Sequence, residues 1–381
     1  MKINFRKDNR YEGRITIHGK RKSFYGTTKT EVKQKAKEYI KKVENGYKEP
    51  EKIFLNDYIE YWLNTFKKNK IEPSSYSRLY QTYEKQIKDD LGKKYIGNIT
   101  ASDIQQCIDE HSNPSSNITK ALSISGLKKI IHLLRPCLNK AVEEGIIDKN
   151  PCDNVILPVE SCVTVQTKEQ FSLSDKEIEL FRNESLSLYK STKEYKSRNA
   201  FILLLMLNLG LRVGEMIALE WDDINIENKI MYVNKTLQTI KSYGNNSTNK
   251  TRIKKSTKTI SGNRVLPLNE ISLFYITELQ EYDKRHNIKS SHVCCTKVGT
   301  RETPRNLQRS LDRIIDKTDI DKKVTLHTLR HTFGSVLIRR GIGVEVVSKL
   351  MGHANITITY NKYIHVIQEQ KAKAMNMINI C

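Results

Sequence analysis

The apolar run from Phe201 to Leu207, carried on to Leu211, is the feature that most limits the folds open to this chain. It falls far short of the ~20 residues that cross a bilayer, so no membrane-spanning segment is expected. With its flanks it is long enough for one buried helix, and a helix apolar on all sides must be wrapped by other elements. A chain of 381 residues holds two or three domains at ~100–200 residues each. Its 17 Gly and 8 Pro are too few for a collagen-like or linker-dominated chain, and a hydrophobic share of 38% suffices for several small cores. The start, Met1-Lys2-Ile3-Asn4-Phe5-Arg6, has no apolar signal core, and seven Cys are scattered without a C-x-x-C pair. Both features argue for a reducing, cytoplasmic setting and against a disulfide framework or zinc finger.

Charge narrows the partners. Lys plus Arg is 65 against 43 Asp plus Glu, a net +22, so a polyanion comes first: DNA, RNA or an acidic membrane surface. Residues 1–50 hold 15 basic and 6 acidic residues. Arg14-Ile15-Thr16-Ile17 and Ser23-Phe24-Tyr25 predict two short strands around a turn at His18-Gly19-Lys20. Thr28 and Glu31 form a capping-box pattern opening a helix with Val32, Ala36, Ile40 and Val43 at helical spacing and Gly46 at its end. Lys33, Lys35, Lys37, Lys41 and Lys42 crowd the rest of that helix. The plain reading is a solvated Lys-rich face. The sharper one is a sheet-plus-helix module on nucleic acid, since a β-sheet can enter the major groove. Arg14, Lys20, Arg21 and Lys22 are its candidate DNA contacts.

Residues 53–160 predict a helical domain. Phe54, Tyr58, Trp62 and Phe66 mark one apolar stripe; Tyr76, Leu79, Tyr80, Tyr83 and Ile87 mark a second, between Pro73-Ser74-Ser75 and Gly92. A short helix follows Thr100 with Ile104 and Ile108, and a longer one spans Ser123 to Glu144 with Leu127, Ile130, Ile131, Leu134, Leu138 and Ala141 inward. Asn150-Pro151 ends it. The aromatics here read as core rather than as base-stacking groups. The stretch from Leu157 to about Thr167 lacks periodicity and reads as a linker. Beyond it Ser174 and Glu177 cap a helix with Ile178 and Phe181, the buried helix follows, and residues 229–268 turn to strand character before helices return after about 304.

Several residues in this last region could carry chemistry. Arg212 ends an apolar stretch, where a guanidinium is costly to desolvate unless paired, and Glu215 lies three residues on. His327 and Arg330 stand at i, i+3 on a helix, a proton carrier beside a fork for phosphate oxygens. His327 and His331 are i, i+4, but Thr328 stands where a zinc H-E-x-x-H motif has Glu, so no metal is expected. His353 follows Gly352 at a helix end, which predicts an exposed imidazole. Tyr363 comes ten residues later, and a phenolate can attack phosphorus. Lys250, Arg252, Lys254, Lys255 and Lys258 fill a stretch without acidic residues, read as a solvated hairpin loop or as a phosphate-contacting hairpin.

Taken in order, an Arg in Gly210-Leu211-Arg212-Val213-Gly214-Glu215, a hairpin Lys, His327-Thr328-Leu329-Arg330-His331, Leu350-Met351-Gly352-His353 and a following Tyr resemble the tyrosine recombinase (lambda-integrase-like) family over residues 168–370. The basic N-terminal module is similar to the arm-binding domain of integrases from conjugative transposons. The resemblance implies a multidomain α+β chain: 1–50 an arm-type DNA-binding sheet and helix, 53–160 an all-helical (SAM-like) core-binding domain, and 168–381 a mostly α catalytic domain with a small β-sheet. It implies a catalytic set of Arg212, Lys258, His327, Arg330, His353 and Tyr363, with Glu215 supporting Arg212. Lys254 and Lys255 lie close to Lys258, but Lys258-Thr259 before Arg264 and Pro267 matches the hairpin better. Tyr360 competes with Tyr363, and the spacing from His353 favours Tyr363.

The family implies DNA cleavage through a 3′-phosphotyrosyl link without metal or ATP, consistent with the lack of a phosphate-loop motif. It also implies a homotetramer clamping core sites of double-stranded DNA between the two larger domains, with arm sites bound by the first. An excisionase and a host DNA-bending protein would be further partners. The tail with Met375, Met377, Ile378 and Ile380 is apolar enough to dock on a neighbouring subunit, and its plainer reading is a disordered chain end. The expected function is therefore a site-specific recombinase integrating and excising a mobile element. Relaxation by a type IB topoisomerase shares the Tyr chemistry but needs no arm module. A DNA-binding regulator has no use for the full catalytic set, and an RNA or membrane binder explains the charge but not the order.

Overall fold

Short-range signals set most helix starts. Ser174 accepts from the Glu177 amide while Glu177 accepts from the Ser174 amide, and Thr100 and Asp103 do the same, so both helices start with two donors satisfied. The first capping pattern is only half built as expected: the Glu31 amide donates to Thr28 Oγ1, but the Glu31 carboxylate turns to the amide and hydroxyl of Thr27. The structure, a computed structural model, describes residues 1–17, 20–44, 52–114, 121–159, 172–240, 250–254 and 263–377. It is mostly helical with small antiparallel sheets, and it divides into two units, Met1–Thr167 and Lys168–Cys381. No helix among the described residues is long and apolar enough to cross a membrane.

The first unit opens with an antiparallel sheet, β1 (Lys2–Phe5), β2 (Tyr11–Ile17) and β3 (Lys20–Gly26), in that order, followed by helix α1 (Lys29–Glu44). The strand β1 is additional to the two expected. Its few residues show no period because it is an edge strand, mostly exposed, held by pairing from Lys2 opposite Arg14 to Phe5 opposite Tyr11. Val32 and Ala36 of α1 are buried and α1 packs on β2 and β3. The expected turn at His18-Gly19, the side chain of Lys20 and the helix end at Gly46 lie outside the described residues.

The unit continues with α2 (Leu55–Trp62), which runs into a π-helical turn at Leu63–Lys67, then α3 (Pro73–Gln86), α4 (Ala101–Ser112) and α5 (Ile124–Glu143). Leu55, Tyr58, Ile59, Trp62, Tyr83 and Leu134 share one core. Tyr83 and Tyr58 keep their polar tips satisfied by donating to Glu60 and Glu144, each at 2.9 Å. Phe54 departs from its expected stripe: it is the exposed residue before α2 and stacks on Tyr95, leaving Leu55 and Ile59 to fill the core. Pro136 lies inside α5. The helix continues across it because Leu133, Leu134, Cys137 and Leu138 are buried on both sides, and packing outweighs the lost backbone donor.

The second unit is built around α7 (Arg198–Leu209), whose residues from Ala200 to Met206 are all buried. Before it lies α6 (Asp175–Ser185); after it come α8 (Val213–Ala218), a sheet of β4 (Ile224–Asn225), β5 (Ile230–Val233) and β8 (Arg264–Pro267), and a hairpin of β6 (Thr236–Ile240) with β7 (Lys250–Lys254). Helices α9 (Glu270–Arg285), α10 (Pro304–Ile315) and α11 (Leu326–Arg339) pack on α7. Arg198 anchors α7 to α9 through both Asp283 oxygens, at 2.5 and 2.7 Å. Helices α12 (Val344–Met351) and α13 (Ile356–Met377) complete the unit. The tail residues Ile378 and Ile380, and the side chains of Met375 and Met377, lie outside the described residues.

Candidate active site

Helix α7 ends at Gly210 in the left-handed conformation, φ 62°, which lets the chain turn sharply so that Arg212 becomes the residue before α8. A Cβ at Gly210 would fall 2.3 Å from Cδ1 of Phe333, so glycine is required by conformation and by space. The Gly210 carbonyl accepts from Arg330 Nη1 at 2.5 Å. Gly210→Ala is expected to cost roughly 1–3 kcal/mol and to shift this carbonyl. Thermal unfolding checks this, and an unchanged melting temperature would contradict it.

Glu215 on α8 is the hub of the site. Its buried carboxylate accepts from Arg212 Nη1 at 2.7 Å and from Arg264 Nη1 and Nη2 at 3.2 and 2.9 Å, and Arg330 Nη1 lies 4.0 Å away. Burial alone would raise its pKa, but the Arg264 hydrogen bonds, then the charges of Arg264, Arg212 and Arg330, hold it at about 2. The arrangement is therefore one anion among three cations, with a net positive charge facing outward through Arg212, whose side chain stays 36% exposed.

The C-terminal end of α12 gathers these cations a second time. Three successive carbonyls take three guanidiniums: Leu350 from Arg264 Nε at 2.8 Å, Met351 from Arg330 Nη2 at 2.5 Å, and Gly352 from Arg212 Nη2 at 2.9 Å. A helix end leaves its last carbonyls without partners and carries partial negative charge, so it suits this role. Burial, then the neighbouring charge of Arg212, pulls the Arg330 guanidinium down to about 9, still charged at neutral pH.

The same turn presents His353. The expectation of an exposed imidazole is corrected: His353 is buried and its Nδ1 lies 2.7 Å from Thr359 Oγ1. Gly352 adopts φ 64° and turns the next residue inward against α13. Burial and then the charges of Arg330 and Arg212 lower the His353 pKa to about 3, so the ring is neutral at physiological pH.

Tyr363 interrupts α13 with non-helical dihedrals, φ −116° and ψ 17°. Its side chain is 1% exposed and packs with Ile338, Val347, Met351 and Val366. Its hydroxyl contacts Met351 Sδ at 3.5 Å and His331 Nδ1 at 3.5 Å, and a Cβ on Gly334 would lie 2.3 Å from it. Burial pushes the phenol up to about 12 despite the opposing charge of Arg330. His331 is buried too, and burial, then Lys362, His327 and Arg330, lower it to about 4.

Among the residues named from the sequence, Arg212, Glu215, Arg330, His353 and Tyr363 are brought to one place. His327 sits at the exposed start of α11, its ring 5.9 Å from that of His331, with its pKa lowered by desolvation and then by Lys362, Arg330 and Arg212. Lys255 and Lys258 lie outside the described residues, as does the side chain of Lys250. Arg252 and Lys254 stand on β7 opposite Gln238 and Thr236. On the N-terminal sheet, Arg14 and Arg21 share one face, and Lys22 lies on the other, 4.3 Å above the Tyr39 ring of α1. Two residues were missed. His331 was weighed only as a metal ligand, although its position next to Arg330 already placed it in the same helix turn. Arg264 was read only as the end of a hairpin, and nothing local signals its partner forty-nine residues away.

Comparison with known proteins identifies the family of this fold. The phage integrase family model matches residues 179–370, just over half of the chain, and a phage integrase N-terminal SAM-like domain matches residues 54–111. A tyrosine recombinase XerC-like protein of Caldanaerobacter subterraneus subsp. tengcongensis is 27% identical, covering 99% of this chain and 98% of the relative. The Tn1549 transposon integrase in complex with transposon right end DNA superposes with a TM-score of 0.66 at 20% identity, over 85% of this chain and 99% of that one. A lambda integrase tetramer bound to a Holliday junction superposes with a TM-score of 0.59 at 15% identity, over 93% of this chain and 96% of that one. These two likenesses show the fold. The family match over the region that carries the arginine hub and Tyr363 shows that this chain belongs to the phage integrase family and is a tyrosine-type site-specific DNA recombinase.

Proposed function

We propose that this recombinase integrates and excises a mobile element, with Tyr363 as nucleophile. Its oxygen attacks the phosphorus and forms a 3′-phosphotyrosyl link, and the 5′-oxygen leaves with a proton from Lys258 acting as general acid. Arg212, Arg330 and His353 stabilise the charge that builds on the non-bridging oxygens, and Glu215 keeps Arg212 in place. His327 assists proton transfer at the phenol. The attack requires the hydroxyl to leave its pocket between Met351 and Gly334. One observation carries this reading: Met351, Gly352 and His353, three consecutive residues, touch Tyr363, Arg330 and Arg212 and supply the imidazole. The bond energy is kept in the covalent link, so a 5′-hydroxyl of a second strand reseals it.

Within this reading, residues 1–50 bind arm sites through Arg14 and Arg21, residues 53–160 bind core sites, and residues 168–381 hold the catalytic centre with Arg252 and Lys254 on its DNA-facing hairpin. The separate core of the helical segment and its match to a SAM-like domain support this division. The DNA-bound transposon integrase and the lambda integrase tetramer support a tetramer on double-stranded DNA. On this reading its work on DNA takes place in the cytoplasm of a bacterium, and the bacterial origin of its relatives supports this.

The test is covalent trapping on a nicked duplex carrying the joined ends of the element that encodes the chain. An SDS-resistant adduct is expected, together with binding that weakens roughly 10³-fold or more between about 50 and 200 mM salt. Tight, salt-sensitive binding without any adduct would replace this reading with that of a DNA-binding regulator.

A further inference from the structure

We infer that Arg264 is a positioning residue of this active site, clamping Glu215 and the end of α12 so that Arg212 stays turned toward the DNA phosphate. The inference rests on the proposed roles of Arg212 and Tyr363. Arg264 stands on β8, and its side chain is 7% exposed, so it is too buried to meet DNA itself. Its three nitrogens are directed at two elements: both terminal ones at Glu215 on α8, and Nε at the Leu350 carbonyl of α12. A Cβ on Gly352 would lie 2.8 Å from its Nη1, so the His353 turn packs directly against the guanidinium.

The consequence falls on Arg212. Glu215 offers two oxygens, and Arg264 engages both, leaving the Arg212 guanidinium the single bond from Nη1 to Oε1, while the Arg212 backbone amide donates to Oε2 at 2.9 Å. A bidentate Arg–carboxylate pair is the stronger arrangement, so without Arg264 the exposed Arg212 would swing to take both oxygens. Its fork would then face the carboxylate rather than a phosphate. Arg264 wins the bidentate position because it is the more buried partner, and the end of α12 fixes its orientation.

The charges facing Glu215 are those of Arg264 from β8, Arg212 from the start of α8 and Arg330 from α11. Of the other elements packed on α8, β6 carries no charged residue, the one charge of α7 is Arg198, bonded to Asp283, and α10 turns Leu307 and Leu311 inward. Removing Arg264 therefore leaves burial of the carboxylate opposed by fewer cations, and Glu215 takes up a proton at a higher pH. A protonated Glu215 holds Arg212 poorly, so adduct formation gains an acid limb that the unaltered protein lacks in the same range.

The test measures single-turnover adduct formation on the nicked duplex across pH for the unaltered protein, Arg264→Gln and Arg264→Lys, with Tyr363→Phe as control and thermal unfolding alongside. Arg264→Gln is expected to lose about 10–100-fold in rate with DNA affinity within about twofold, and its acid limb should move to higher pH. Arg264→Lys, which keeps the charge but not the fork, should restore the pH profile and only part of the rate. If Arg264→Gln does not fold, Arg264→Lys decides: a slower rate at unchanged melting temperature supports the inference, and an unchanged rate overturns it. A variant with the unaltered rate and pH profile overturns the inference while the proposed function stands. An adduct that persists in Tyr363→Phe instead overturns the proposed assignment of Tyr363 as nucleophile.

Discussion

Tyr363→Phe is expected to lower covalent adduct formation by more than roughly 10⁴-fold, while Tyr360→Phe leaves it within a fewfold. The substitution removes one oxygen from a side chain that is 1% exposed, and the contacts it gives up, to His331 and Met351, are both as long as 3.5 Å. Its effect on stability should therefore stay within about 1 kcal/mol, and the loss of product is chemical rather than a loss of fold. Tyr360 is 40% exposed on the same helix and makes none of the contacts that join Tyr363 to the α12 turn. Electrophoresis in SDS of the nicked-duplex reaction reads both variants directly. An adduct lost in Tyr360→Phe and kept in Tyr363→Phe would move the nucleophile by one helical turn and leave the tyrosine mechanism in place.

The second unit is expected to lose several kcal/mol of stability on acidification, because its candidate active site buries neutral imidazoles. Burial, followed by surrounding cations, lowers His331 to about 4 and His353 to about 3, whereas in the unfolded chain both titrate near 6.5. Between those values the unfolded chain binds more protons than the folded one, so stability rises with pH. The contribution is fully present above about 6.5 and is lost as pH falls toward about 4. From roughly pH 7.5 to roughly pH 5, each imidazole accounts for about 2 kcal/mol. The chain has two Trp, so Trp62→Phe leaves Trp221 as a reporter of the second unit in urea unfolding. His331→Gln should flatten the pH dependence by about half. A slope unchanged by that variant would assign the acid sensitivity to other groups.

Much of this site is legible along the chain because it is built from short-range relations. Glu215 stands one helical turn from Arg212 and pairs with it at 2.7 Å, as three-residue spacing allows. The capping pairs at Thr100 and Ser174 and the apolar period of α5 depend on neighbours within a turn or two. The orientation of His353 was misread for the opposite reason. A glycine before it marks a helix end correctly, but whether the next ring points out or in depends on Thr359 and on the packing of α13. His331 and Arg264 were passed over because their partners are Tyr363 and Glu215, thirty-two and forty-nine residues away. The strand β1 was missed because its stability comes from pairing with β2 rather than from its own residues.

The sequence by itself determined the main helices and the order of the candidate residues along the chain, since these follow from local propensity, capping and spacing. Tertiary structure decided which of those residues meet. The Gly210 carbonyl reaches Arg330 across a separation of 120 residues, and the Gly352 carbonyl reaches Arg212 across 140. Such contacts form only when burying α7 against α9 and α11 has already brought their helices together, so the free energy of the whole core fixes them. The one buried carboxylate shared by three guanidiniums is a product of that packing, and no stretch of chain contains it.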